Sequence, residues 1–245
     1  MVEMGVKAQK DRETRLSAIR RAGQDLLSGT GTRKRLSLIP VSGQMRRVFD
    51  EACGMLHYAG ACRRVGRLMR LSVVEGGEWV GGIVLGSPFP NLRPRDDAFD
   101  LTRHALNWRE RGLVSPWARE NRDYWSRLQL IVNQARTFVF PSAQGRGIGV
   151  RAHALLETQG RALWNDVYGP AIGFDTLCTE STSRLFSDNG WRLVGRTKGY
   201  TRNPGLPLSG RFEDGSKTLR ENAGLSHRPS NPQWWIWVRV LERTP

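Results

Sequence analysis

Two residue groups and one loop in this sequence have the chemistry to act on a substrate. His57 closes a run with helical spacing and is followed directly by Tyr58. An imidazole titrates near neutral pH, so His57 could take a proton from an amine or ligate a metal. At a helix end it could equally be an ordinary histidine held by the dipole. Tyr58 could donate a hydrogen bond, or sit at a core edge. Arg136 lies within the apolar run from Leu130 to Phe140. A charge there is costly unless paired, so it meets a ligand phosphate or carboxylate, or an acid such as Asp175. The loop is Gln144-Gly145-Arg146-Gly147-Ile148-Gly149. Its glycines permit an unusual backbone path, and a helix start behind it offers unpaired amides to a pyrophosphate. Arg146 and Arg151 could add charge, and Ser142 stands beside the loop. A purely structural turn is the alternative. No Gly-Lys-Ser/Thr follows, which excludes a Walker loop.

These groups need elements to hold them. Leu36 to Val41 reads as a strand, with Ser42 capping a helix from Gln44 to Tyr58. Leu68–Val74 and Trp79–Leu85 flank the turn Glu75-Gly76-Gly77-Glu78 as a β-hairpin. Leu128–Phe140 reads as one long strand ended by Pro141. The glycine loop then opens a helix to Tyr168, with Ala152, Leu155, Leu156 and Leu163 on one face. Ala171–Cys178 is a strand and Thr179 opens a helix that ends at Gly190. Trp191–Gly195 and Trp234–Leu241 are the last strands. Trp235 and Trp237 share a face there, either to stack on bases or to pack into the sheet. Residues 86–127 read as an irregular insertion with short helices at 101–111 and 116–126, and 196–232 as a basic loop. The fold class is α/β: a mixed central sheet flanked by helices over residues 36–245, preceded by a basic arm, part helix, at 1–35 that orders on a partner or stays mobile.

Composition limits the possibilities. There are 38 Lys+Arg against 23 Asp+Glu in 245 residues, a net charge of +15. A polyanion would offset that self-repulsion, and nucleic acid is the commonest one. The 3 cysteines, Cys53, Cys62 and Cys178, are odd in number and lack metal-knuckle spacing, so a reducing, cytoplasmic setting is expected. No apolar run has the length of a membrane span, and Met1–Arg20 is too charged for a secretory signal.

The loop Gln144–Gly149 resembles the acyl-CoA loop of the GNAT acyltransferase superfamily. Thr182–Gly195, containing Asn189-Gly-Trp191-Arg-Leu-Val-Gly195, is similar to that superfamily's second hallmark. The resemblance implies the GNAT fold and an acyl-CoA or related anionic donor. Three stretches look more specifically like the Mom family of phage DNA-modification proteins and the related domain found in the Druantia anti-phage defence system. These are Asp50–Gly60 with His57-Tyr58, Leu130–Pro141 with Arg136, and Asn189–Gly199 with Trp191 and Lys198. One extra glycine, Gly190, departs from that pattern.

The resemblance implies a phage- or prophage-encoded enzyme that carbamoylmethylates adenine N6 in double-stranded DNA and protects it from restriction. It implies roles for His57, Tyr58, Arg136 and Asp175 in catalysis, with a metal such as Fe(II) on His57, Tyr58 and Asp175. Asn189, Trp191 and Lys198 would face the base or the DNA, although Trp191 suits core packing equally. The amine proton would go to His57 or Asp175, and amides near Asn133 to Arg136 would hold an oxyanion. Two other readings stay open: an N-acetyltransferase for protein or small-molecule amines, and a DNA-binding defence protein without catalysis.

Overall fold

The computed structural model describes residues 2–27, 35–62, 66–90, 92–101, 122–179, 182–197 and 234–241. In chain order these form α1 (Val2–Leu27), β1 (Leu36–Pro40), α2 (Met45–Leu56), β2 (Leu68–Glu75), β3 (Glu78–Gly86), α3 (Arg93–Ala98), α4 (Arg122–Leu128) and β4 (Ile131–Val139). They continue as α5 (Ile148–Ala154), a π turn (Leu156–Gly160), α6 (Arg161–Tyr168), β5 (Gly173–Cys178), α7 (Ser183–Ser187), β6 (Arg192–Arg196) and β7 (Trp235–Val240). The strands make one seven-stranded sheet in the order β1-β2-β3-β4-β5-β7-β6. All neighbours are antiparallel except β4 and β5, which are parallel. This is the expected mixed α/β sheet.

Apolar side chains cover both faces. Ile148, Leu156 and Trp164 from the α5–α6 layer pack with Leu71, Ile83, Val132 and Phe174. On the other face Phe49 of α2 packs with Trp79, Val84, Phe138 and Phe140. A third cluster joins Phe99, Leu101, Tyr124 and Leu128 to Ile131 and Val238. At the outer edge of the sheet, the Leu38 amide donates to Gln159 Oε1 at 3.0 Å, from β1 to the π turn.

The stretch expected to be a basic arm is, over Val2–Leu27, a helix built into this fold. Its Leu16, Ile19 and Leu27 are buried. Gly23 lies against Trp79, and a Cβ at that position would overlap the indole ring. Gln24 accepts the Trp79 amide at 2.6 Å and donates to the Gly77 carbonyl at 2.5 Å. Arg15 pairs with Glu51 at 2.6 Å and Arg12 donates to the Met55 carbonyl at 2.7 Å, so part of its charge serves the fold.

Other boundaries moved for identifiable reasons. Residues 128–130 end α4 and its turn, because the Gln129 and Leu130 amides return to Trp125 and Arg127. The strand therefore begins at Ile131. Ser42 does not cap α2; the N-cap is Gln44, with no side-chain bond. The expected insertion holds α3 and α4, with Arg95, Asp96 and Tyr124 buried. The helix expected at 101–111, most of the one at 116–126 and the 196–232 loop beyond residue 197 lie outside the described residues.

A candidate cleft through the sheet

The site starts where β4 and β5 part. They pair only as Ile131–Gly173, Val132–Phe174 and Asn133–Asp175, although β4 runs on to Val139 and β5 to Cys178. On its other side β4 carries a bulge: Val84 faces Arg136 and Leu85 faces Gln134, so Ala135 has no partner. A bulge re-aims side chains. Here it brings Gln134 and Thr137 to one face, where Gln134 Nε2 donates to Thr137 Oγ1 at 2.6 Å.

A cavity of about 190 Å³ occupies the parting. Leu56, His57, Tyr58 and Ala135 line it from the α2 side. Gln134, Thr137, Thr176, Cys178, Leu185 and Phe186 line it from the side of α5 and α7. The cleft thus joins the two faces of the sheet. A larger groove, about 470 Å³, follows exposed residues of α1 alone and brings no chemistry together.

A polar chain crosses the cleft. Thr176 Oγ1 donates to Gln134 Oε1 and to the Gln134 carbonyl, each at 2.8 Å. Thr137 Oγ1 lies 3.4 Å from His153 Nε2, and His153 Nδ1 lies 2.9 Å from the Gly149 carbonyl. A carbonyl can only accept, so the His153 proton is on Nδ1 and Nε2 accepts from Thr137. Burial lowers the His153 pKa to about 4, against the raising effect of the Gly149 bond, which keeps the ring neutral. Sequence reasoning missed Gln134, Thr137, His153 and Thr176. Their signal was polar residues inside apolar runs.

At the other mouth, His57 stacks on Tyr58 with centroids 4.3 Å apart, and Tyr58 stacks toward Trp234 at 6.0 Å. Tyr58 is 53% exposed. His57 Nδ1 accepts the Ala59 amide at 3.1 Å, which leaves the proton of the neutral ring on Nε2. Burial, and then Arg136, lower its pKa to about 3. His57 is therefore a hydrogen-bond donor in this arrangement, not the proton acceptor expected. Arg136 does not pair with Asp175. Its guanidinium donates to the carbonyls of Ala135 (2.7 Å), Gly60 (3.2 Å) and Ala59 (3.4 Å). It has no carboxylate partner among the described residues.

Asp175 is 1% exposed and committed elsewhere. Arg95 donates to its Oδ2 at 2.7 Å and Asn133 to its Oδ1 at 2.5 Å. Both roles expected of it, base and metal ligand, conflict with those bonds. A metal on His57 would also need the Nδ1 lone pair or an unprotonated Nε2. Among the described residues no group of three His, Cys, Asp or Glu could hold a metal. The described residues do not fit Fe(II).

The glycine loop behaves as its sequence suggests. Gly145 and Gly147 adopt φ of +77° and +67° with open space around each. Gly147 caps α5, so the amides of Ile148, Gly149 and Val150 precede the first bond of that helix, Arg151 N–H to the Gly147 carbonyl at 3.1 Å. That donor set fits an anionic phosphate-bearing ligand. Arg146 and Arg151 both pair with Glu75 of β2, Arg151 at 2.6 Å. The Ile148 side chain is buried in the core, where it anchors the loop. Gln144 and Ser142 are exposed. A Cβ on Gly149 would stand 3.3 Å from Leu185, which lines the cleft.

Trp191 and Asn189 serve the fold. Trp191 is 4% exposed and packs against Phe186 and Phe174, so core packing takes it and base stacking does not. Asn189 donates to the Leu185 carbonyl at 2.8 Å, closing α7. Lys198 lies outside the described residues. Trp237 is buried, and Trp235 carries Arg196 over its ring at 4.2 Å.

No protein-family model matches the chain, and no curated protein matches it. Among solved structures it is similar to Mycobacterium smegmatis RimJ in complex with CoA-disulfide, with 16% identity, a TM-score of 0.40, and coverage of 96% of this chain and 80% of that one. It is similar to Arabidopsis thaliana NAA60 in complex with acetyl-CoA, with 11% identity, a TM-score of 0.39, and coverage of 84% and 98%. It is also similar to the Drosophila melanogaster polyamine N-acetyltransferase, with 16% identity, a TM-score of 0.37, and coverage of 70% and 74%. Likeness at this level carries no inference about activity.

Proposed function

We propose that this chain is a GNAT-type acyltransferase that modifies a nitrogen already neutral at physiological pH, and that the acceptor is an exocyclic base amine in DNA. The observation that carries this reading is the cleft between β4 and β5. His57 and Tyr58, with Arg136 behind them, line it from one face of the sheet, and Leu185, which lies beside Gly149 of the glycine loop, lines it from the other.

A CoA thioester, or a related anionic donor, would supply an activated acyl carbon. The amides at the start of α5 would bind its anionic end. Past Asn133 the backbone of β4 has no β5 partner, and it can serve a developing oxyanion in the cleft. On the acceptor side, an alkylammonium would have to lose a proton before attack and would meet the Arg136 charge. Neither His57 nor His153 is a base near pH 7. A nucleobase amine needs no such base before attack, because it is uncharged at that pH. It also offers a flat ring to Tyr58 and Trp234, and ring nitrogens to the His57 Nε2 proton. Tyr58 is protonated at neutral pH, as a phenol is, and desolvation at the cleft raises its pKa further; it can give its proton to the departing thiolate and regain one from the amine nitrogen that has added.

The net charge of +15 supports a polyanionic partner. Reaching a base amine in a duplex would require flipping the base out. Adenine N6 is the position that the Mom resemblance favours.

The test is mass spectrometry of nucleosides from plasmid DNA co-expressed with the protein, beside an Arg136→Gln variant. An adenine adduct present with the parent protein and reduced in the variant supports the reading. Unmodified nucleosides, together with consumption of acetyl-CoA on agmatine or spermidine, would replace it with an ordinary amine acetyltransferase.

A further inference from the structure

We propose that Arg95 is a positioning residue: by clamping Asp175 at the last paired rung of β4 and β5, it fixes how far the two strands stand apart and so the width of the cleft. The role in catalysis rests on the acyltransferase reading, whereas the effect on cleft width does not.

Arg95 is fully buried, at 0% exposure. Its guanidinium is used in three directions: Asp96 Oδ1 at 2.6 Å, Asp175 Oδ2 at 2.7 Å and the Phe89 carbonyl at 2.6 Å. Asp96 Oδ2 in turn accepts from the Tyr124 hydroxyl at 3.1 Å. Phe89 lies just past β3, Tyr124 is in α4, which leads into β4, and Asp175 is in β5. One side chain therefore ties together the approaches to three strands. Apolar residues of similar volume commonly stabilise a core as well as a buried ion cluster does. What the planar guanidinium adds is fixed geometry, because its fork sets the angle between its acceptors.

The position of the cluster gives that geometry a use. Asn133 and Asp175 are the last residues at which β4 and β5 pair, and Asn133 donates to the same carboxylate that Arg95 holds. The next residues along, Gln134 and Thr176, are joined by side-chain hydrogen bonds across the parting. The gap at that level is thus spanned by the Thr176 side chain, which reaches both the Gln134 carbonyl and its side-chain oxygen at 2.8 Å. If the rung slipped, the strands could close further or splay.

Cys178 reports on the gap, since it lines the cleft and is only 4% exposed. Cys53 and Cys62 are buried in another cluster and report on unfolding. The experiment is the rate of iodoacetamide alkylation at each cysteine, resolved by peptide mass spectrometry, in the full-length protein and in Arg95→Met and Asn133→Ala. It needs neither donor nor acceptor, so its outcome is separable from the proposed reaction. The expected result is that labelling of Cys178 speeds up at least about tenfold more than labelling of Cys53 and Cys62, whose rates carry only the loss of global stability. An unchanged Cys178 rate in a folded variant overturns the proposal. So does a parallel rise at all three cysteines, which would mean general loosening. If Arg95→Met does not fold, Asn133→Ala decides alone.

Discussion

Asn133 and Asp175 face each other on the last rung of the β4–β5 pair, with 2.5 Å between Asn133 Nδ2 and Asp175 Oδ1. Every feature of the cleft lies beyond that rung. The carboxylate expected to do chemistry instead marks where the cleft begins.

Removing Arg95 leaves two buried carboxylates, Asp96 and Asp175, without their cation. Burial already raises the Asp96 pKa, and Arg95 is the main influence against it. Truncating one partner of a buried pair typically costs about 3–5 kcal/mol. Urea unfolding of Arg95→Met should show a loss of that order. A loss under about 1 kcal/mol would mean that the cluster is more hydrated than its burial indicates.

Arg136 lowers the His57 pKa as the second influence, after burial. In Arg136→Met the pKa should therefore rise from about 3 yet stay below the ordinary 6.5, because burial remains. Titration of the His57 ring protons by NMR measures this directly. No movement would place the charge too far away to act on an acceptor.

His153 gives a pH dependence with a definite sign. Its pKa is 6.5 in the unfolded chain and about 4 when folded, so between those values the unfolded state binds more protons. Stability should be flat above pH 6.5 and fall as the pH drops toward 4, by up to about 3 kcal/mol from this one group. Thermal melts of the parent protein and His153→Gln across that range should differ by a shallower acid limb in the variant. Identical limbs would contradict a buried, neutral His153.

Two glycines should respond differently. Gly23→Ala puts a methyl into the Trp79 ring and should destabilise by about 1–3 kcal/mol, without touching the loop. Gly147→Ala meets open space but holds φ at +67°, so it should cost about 1 kcal/mol and weaken acyl-CoA binding measured by calorimetry. Unaltered binding in Gly147→Ala would separate the loop from the donor.

The hairpin, the β4 run, the glycine loop and the mixed sheet were legible because each has local chemistry: alternation, a two-glycine turn, glycines with positive φ. The role of Asp175 was not, since its partner Arg95 lies 80 residues away in a Pro- and Arg-rich stretch without periodicity. Spacing does not encode a bulge either, so Gln134 and Thr137 looked like members of opposite faces. His57 was found by type and position, but its proton is placed by the Ala59 amide, a contact visible only once the chain turns after α2. α1 was obscured by its charge: its few buried apolar residues are diluted among arginines that bond to α2 and the hairpin.

The Leu38 amide that ends on Gln159 has a consequence for how this protein behaves in company. An open sheet edge invites another chain to add a strand, the usual first step toward aggregation. Here a side chain from the π turn already holds a backbone donor on that edge. A newcomer must displace Gln159 before it can zip onto β1, and replacing Gln159 with alanine should make the protein more prone to self-association at high concentration.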